Sequence, residues 1–180
     1  MTDPGEPATN PAITPELTEQ DGSDQEWFDD ADPTGQTTTG EHGLRFSCTQ
    51  CGECCSGTPG YVGFTDEEAV AIAAHLKISV ETFMDEYTRD TPHGRSIKDL
   101  KFTGSNGHDC VFLDRTSRPG MAGCSIYKIR PTQCRTWPFW GSNLTSRETW
   151  NRSGESCPGL NKGPLHTAEH VRLTRERVEI

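Results

Sequence analysis

The sequence predicts a small, irregular, cysteine-rich α+β domain with a few helices and short strands, preceded by a disordered acidic tail. Three observations carry this reading. Eight cysteines stand in 180 residues, four of them crowded into Cys48, Cys51, Cys54 and Cys55. Only 31% of the chain is hydrophobic, against 18 glycines and 12 prolines, so the apolar core is thin and the fold needs support from elsewhere. The hydrophobic pattern also switches between helical and alternating periods, which mixes helices with strands.

The tail comes first. Residues 1–40 hold ten acidic side chains and no Lys or Arg. Removing those ten from the 27 acids leaves 17 against 17 basic residues, so the formal charge of -10 belongs to the tail and the rest is neutral. Few apolar groups stand there to offset the entropy of ordering. Trp27 and Phe28 are its only large aromatic residues, and they are expected to stay in the unstructured arm rather than dock. Met1-Thr2-Asp3-Pro4 lacks the basic and apolar parts of a secretory signal, and no apolar run is long enough to span a bilayer. A cytoplasmic protein without membrane contact is expected. The glycosylation patterns at Asn143 and Asn151 then carry no weight.

Helices open the domain. Thr65-Asp66-Glu67-Glu68 has the capping-box pattern, and Ala69, Val70, Ile72, Ala73 and Leu76 follow at helical spacing. Ser79 caps a second helix whose Val80, Phe83, Met84 and Tyr87 form one apolar stripe. Alternation at Leu100 and Phe102, the run Val111 to Leu113 and the segment Cys124 to Tyr127 read as short strands, with a turn over residues 117–120. Pro131 is placed to start a short helix through Cys134, whose N-terminal amides would favour a thiolate there. His166 to Val178 reads as a terminal amphipathic helix. The expected organisation is therefore a tail over 1–40, a cysteine domain over 41–165 and a C-terminal helix over 166–180.

The chemistry lies in the cysteines. In a reducing compartment, eight of them hold metal or do redox chemistry more often than they form a disulfide framework. C-x2-C places two sulfurs on one side of a tight turn, which Gly52 permits without strain at Cβ. A third cysteine at the same interval extends the arc, as bacterial ferredoxins begin, and Cys157-Pro158 echoes their final pair. Zinc sites with four cysteines are usually built from two C-x2-C knuckles, and the later Cys110, Cys124, Cys134 and Cys157 stand singly. Three clustered thiolates and one distant suit a 4Fe-4S cluster better, with zinc as the alternative. The surplus cysteines leave room for a second metal or a thiol switch. Adjacent Cys54 and Cys55 are expected to point apart and serve different sites.

Phe46-Ser-Cys48-Thr-Gln-Cys51-Gly-Glu-Cys54-Cys55, Cys110-Val-Phe-Leu113, Cys124-Ser-Ile-Tyr127 and Arg130-Pro131-Thr-Gln-Cys134-Arg135-Thr-Trp-Pro138-Phe139 follow in that order. In them the chain resembles the YkgJ-type cysteine-cluster family, the CxxCxxCC zinc- or iron-chelating domain, over roughly residues 44 to 160. All eight cysteines fit its pattern. The resemblance implies metal chelation, loose description as an iron-sulfur oxidoreductase, and kinship with the domain of flagellin lysine methylases. No S-adenosylmethionine-binding loop is visible.

Around Cys134, Arg130, Arg135 and Lys128 are placed to offset a negatively charged cluster or to hydrogen-bond its sulfurs. The competing reading pairs both arginines with surface carboxylates. Trp137, Pro138, Phe139 and Trp140 either shield the site from water or are plain core. His166 and His170 are spaced like a zinc pair, but Thr167 stands where a metalloprotease needs Glu. They are expected to be exposed helix residues, and His108 is the one reserve histidine ligand. No Ser-His-Asp arrangement, Walker loop or GxGxxG stretch is present, and a neutral domain without a basic patch excludes a nucleic-acid site. An unnamed redox or protein partner is expected. The function that fits is electron transfer or iron-sulfur oxidoreductase chemistry, with a structural zinc module as the alternative.

Overall fold

Helices and short antiparallel strands alternate along the chain, so the α+β class holds. The computed structural model describes residues 26–29, 42–101, 107–117 and 121–178. Most of the expected tail, Phe102 and residues 118–120 of the expected turn lie outside these.

After β1 (Gly43–Phe46) the cysteine loop makes a 3-10 turn over Glu53–Cys55 and a two-residue strand, β2 (Ser56–Gly57). The helix α1 (Asp66–Leu76) then starts at Thr65 with a complete capping box: Thr65 accepts from the Glu68 amide and Glu68 accepts from the Thr65 amide. Ser79 caps α2 (Val80–Tyr87) in the expected way, accepting from the Thr82 amide. A hairpin of β3 (Thr88–Thr91) and β4 (Gly94–Ile97) follows. It was not anticipated in the sequence. Arg95 braces it, donating to Thr88 Oγ1 and to the Met84 carbonyl at the end of α2.

β5 (Asp99–Lys101), β6 (His108–Cys110) and β2 form a three-stranded antiparallel sheet in the order β2-β6-β5. The expected strand over Val111–Leu113 is instead a turn leading into β7 (Leu113–Asp114), which pairs with β8 (Gly123–Cys124). The expected strand from Cys124 to Tyr127 is likewise only β8, followed by a 3-10 turn over Tyr127–Ile129. Pro131 does precede a short helix, α3 (Thr132–Thr136). Two further helices, α4 (Gly141–Leu144) and α5 (Arg147–Ser156), lead to a long strand, β9 (Leu160–Thr167), which returns antiparallel to β1. The terminal helix α6 (Ala168–Arg175) begins later than expected because His166 and Thr167 belong to β9, and Thr167 caps the helix.

Two apolar cores result. One gathers Ala69, Ile72, Ala73, Phe83, Ile97, Phe112 and Ile126 around α1 and α2, with Cys110 and Cys124 packed against it. The other gathers Leu44, Phe139, Leu144, Trp150, Leu160 and Val171 around the β1-β9 pair, and it includes Cys157. Trp150 and Phe139 stack with centroids 5.9 Å apart.

The second core also holds Phe28, which is fully buried. The sequence places Phe28 in a free arm, and the structure docks it. Trp27 donates its indole N–H to the Leu144 carbonyl at 2.7 Å, Arg172 pairs with Glu26 and Asp29, and Arg175 pairs with Glu26. The acidic side chains that make the segment look solvated are thus matched by two basic residues on α6, 143 to 149 positions away in sequence.

Candidate metal centre

The cysteine loop is shaped by glycine. Gly52 sits at φ +82°, a left-handed conformation, and a Cβ there would lie 2.5 Å from the Ala122 Cβ. Ala122 itself is tied to the loop by its amide, which donates to the Gln50 carbonyl at 3.0 Å. The remote Cys157 is brought in by a backbone approach: Ser47 donates to the Gly159 carbonyl at 3.2 Å, and a Cβ on Gly159 would stand 2.1 Å from the Ser47 oxygen. Only glycine fits at that crossing, which sets Cys157 beside the loop that carries Cys48.

Cavities join the eight cysteines. One of about 370 Å³ is lined by Cys48, Cys51, Cys54, Cys55, Cys124 and Cys157, with Arg130, Lys128 and Trp137 on its wall. A second, of about 50 Å³, is lined by Cys54, Cys55, Cys110, Cys124 and Cys134 together with Arg130, Trp137 and Trp140. A third, a cleft of about 740 Å³, touches Cys54, Cys55, Cys110 and Cys134 from the side of Tyr61, His93 and His108. None of the eight cysteines is in a disulfide. Among the described residues, no three His, Cys, Asp or Glu side chains have already closed into a metal-binding group, so ligation requires the thiols to turn inward around an ion. As a set of free, convergent soft donors they fit zinc or iron.

The adjacent pair departs from expectation. Cys54 and Cys55 do not point apart: their sulfurs are 3.8 Å from each other. Cys54 is exposed and Cys55 half-buried. The hydrogen bond between them is the largest cause in both, and it draws Cys54 down to about 7 while pushing Cys55 strongly upward. Burial pushes Cys110 up to about 11 and Cys134 up to about 12, and raises Cys124 as well. At Cys134 burial therefore outweighs the helix N-terminus that was expected to favour its thiolate. These inner thiols stay protonated until a cation compensates their charge.

The two arginines separate. Arg130 lines the two cavities that hold Cys124 and stacks over Tyr127 at 3.7 Å. Arg135 lines none of the three and is engaged elsewhere, donating to Glu68 at 3.2 Å, to Thr132 Oγ1 at 2.7 Å and to the Arg130 carbonyl at 2.6 Å. Trp137 and Trp140 wall the site, whereas Phe139 is core. His108 shares a strand face with Cys110 and presents a buried Nδ1 that has no hydrogen-bond partner among the described residues. His166, on β9 rather than a helix, lies against the Phe46 carbonyl at 3.1 Å and 5.2 Å from the His170 ring. Both stand on the β1-β9 side, outside the three cysteine cavities.

Two arrangements escaped the sequence. The Phe112 and Ile126 amides draw the Cys110 and Cys124 thiols down against the larger effect of burial, each amide two residues downstream of its cysteine. The two loops are joined by the Ser125 amide, which donates to the Phe112 carbonyl at 2.9 Å. Glu68 is the other: its Oε1 accepts from the Thr132 amide and hydroxyl, both at 2.7 Å, and so fixes the start of the helix carrying Cys134.

Residues 47–158 match the model of the CxxCxxCC family, described as a "putative zinc- or iron-chelating domain". The chain is also similar to an uncharacterized protein of Methanocaldococcus jannaschii, at 32% identity over 98 residues, or 54% of this chain and 47% of that one. It thus spans about half the length of this curated relative. No solved structure matches. No helix among the described residues is long and apolar enough to cross a membrane.

Proposed function

The chain belongs to the CxxCxxCC family of zinc- or iron-chelating domains, and from that premise we propose that Cys48, Cys51, Cys54 and Cys157 carry an iron-sulfur cluster that serves electron transfer. The observation behind this reading is the 370 Å³ cavity, which unites the C-x2-C-x2-C arc with the one distant cysteine that precedes proline. When bound, such a cluster supplies one-electron redox chemistry. Arg130 and Lys128, on the wall of the same cavity, offset the negative charge of the thiolates. Cys48 and Cys54 are exposed, which leaves that side open to an electron donor or acceptor protein. Arg135 acts through Glu68 and Thr132 to position the helix of Cys134. A metal held by eight reduced thiols suits a reducing compartment such as the cytoplasm.

Anaerobic purification followed by iron, zinc and acid-labile sulfide analysis, alongside the visible spectrum, tests the reading. Matching iron and sulfide with absorbance bleached by dithionite is expected. Colourless protein containing only zinc would overturn it and leave a structural module that presents a protein-binding surface.

A further inference from the structure

We propose that Cys55, Cys110, Cys124 and Cys134 form a second metal centre that holds a single tetrahedral ion of the zinc type, separate from the arc of Cys48, Cys51 and Cys54. The proposal rests on the reading that the cysteines chelate metal, and it goes beyond it in number, ligand set and chemistry.

The two cavities divide the cysteines. Cys110 and Cys134 line the 50 Å³ cavity and not the 370 Å³ one, whereas Cys48, Cys51 and Cys157 do the reverse. Cys54 and Cys55 line both cavities and both lie close enough to Cys110 and Cys134 for charge to be felt between them; Cys55 is the half-buried member of the pair and is assigned inward on that ground. Cys54 is exposed and completes the C-x2-C-x2-C arc. Cys124 lines both cavities, yet it packs with Cys110 against the α1-α2 core, away from the Cys157 core. That leaves four thiols on each side.

The inner wall suits a structural ion. Ile97, Phe112 and Ile126 line it with Trp140 on one side, while the cleft beside Tyr61 reaches Cys55, Cys110 and Cys134 from the other. The bond from the Ser125 amide to the Phe112 carbonyl, 2.9 Å, joins the loops of Cys110 and Cys124, and the Phe112 and Ile126 amides two residues downstream favour thiolate at those cysteines. Each loop therefore does for one cysteine what a knuckle does for two. Cys134 closes the site from α3, and Cys55 from the 3-10 turn. Structural zinc sites with four cysteines are tetrahedral and have no open position, unlike a centre that exchanges electrons at the surface.

The test is metal analysis of full-length single variants purified without oxygen. Cys55→Ser and Cys110→Ser are expected to lose zinc at least ten-fold while keeping iron and sulfide. Cys48→Ser and Cys54→Ser are expected to do the opposite. Sulfurs 3.8 Å apart also suit two thiolates on one ion. Loss of the same metal from Cys54→Ser and Cys55→Ser would therefore overturn the division. Should a variant fail to fold, titration of the metal-free wild-type chain with Co²⁺ decides: two equivalents with tetrahedral thiolate bands are expected, and saturation at one sinks the second centre. Wild-type protein with two zinc ions and no sulfide would retain the second centre and remove the iron-sulfur reading, so the two failures are distinct.

Discussion

Replacing Phe28 with alanine separates two accounts of the N-terminal segment. In a free acidic arm the substitution touches nothing and shifts stability by no more than about 0.5 kcal/mol. In the structure Phe28 is fully buried among Leu44, Trp150 and Val171, where truncating phenylalanine to alanine costs about 3–5 kcal/mol. The surrounding ion pairs do not alter that balance: side chains of Arg172 and Glu26 are 32% and 28% exposed, and pairs of that kind contribute about 0.2–1 kcal/mol each. With a urea m-value of about 2 kcal/mol/M, the unfolding midpoint falls by about 1.5–2.5 M.

The assay is urea unfolding of wild type, Phe28→Ala and Phe28→Leu at equal metal loading, followed by far-UV circular dichroism. The leucine variant keeps most of the buried volume and is expected to lose less than about 1.5 kcal/mol. Identical midpoints for all three proteins would refute the docking. An equal, large loss in both variants would refute the packing argument, because it would no longer track side-chain volume.

Three further outcomes follow from the site and the arm. Gly52→Ala is expected to lower metal retention against a chelator, since its left-handed φ and the contact at 2.5 Å with Ala122 displace the cysteine turn; Gly60→Ala, with open space around its Cβ position, is expected to retain metal as wild type does. Glu68→Ala strands the Thr132 amide and hydroxyl and costs about 1–3 kcal/mol in thermal or urea unfolding, with the metal stoichiometry per folded chain unchanged. For Asp29, burial raises the carboxyl but is outweighed by the Glu26 amide and Arg172, which hold it below its ordinary 3.8; its contribution is therefore complete above that value and lost as pH falls through and below it. The stability gap between wild type and Asp29→Asn, measured from pH 6 to 3, is expected to shrink in acid, and a constant gap would sink the assignment.

The parts of the fold that could be read from the sequence are those written locally. Thr65, Glu68 and Ser79 lie within three residues of the groups they cap, and the apolar stripes of α1 and α2 continue from them. The β1-β9 pair could not be read this way. It joins residues more than 110 positions apart, and Gly163 and Pro164 break the alternation within β9. The helix α5 was hidden by its Thr, Asn, Ser and Gly content, poor in propensity, and forms around the single buried anchor Trp150. Charge misled at the arm: a run of acids reads as solvated until its basic partners on α6 come into view. At the site, spacing alone marked the arc, while the loops of Cys110 and Cys124 look like solitary cysteines until folding sets them together.

The cysteines lie along the two apolar cores, and Cys157 is a buried member of one of them. Cys110 and Cys124 pack against the α1-α2 core, Cys157 belongs to the β1-β9 core, and the loop with Cys54 and Cys55 reaches the cavities on both sides. A bound metal therefore adds its binding energy to the folded state of a chain that is only 31% hydrophobic. The same position accounts for the form of the motif. In the proposed two-centre arrangement the doubled Cys54-Cys55, both of which line both cavities, supplies one sulfur to each centre from a single turn. In that arrangement one loop would tie the two cores together through metal.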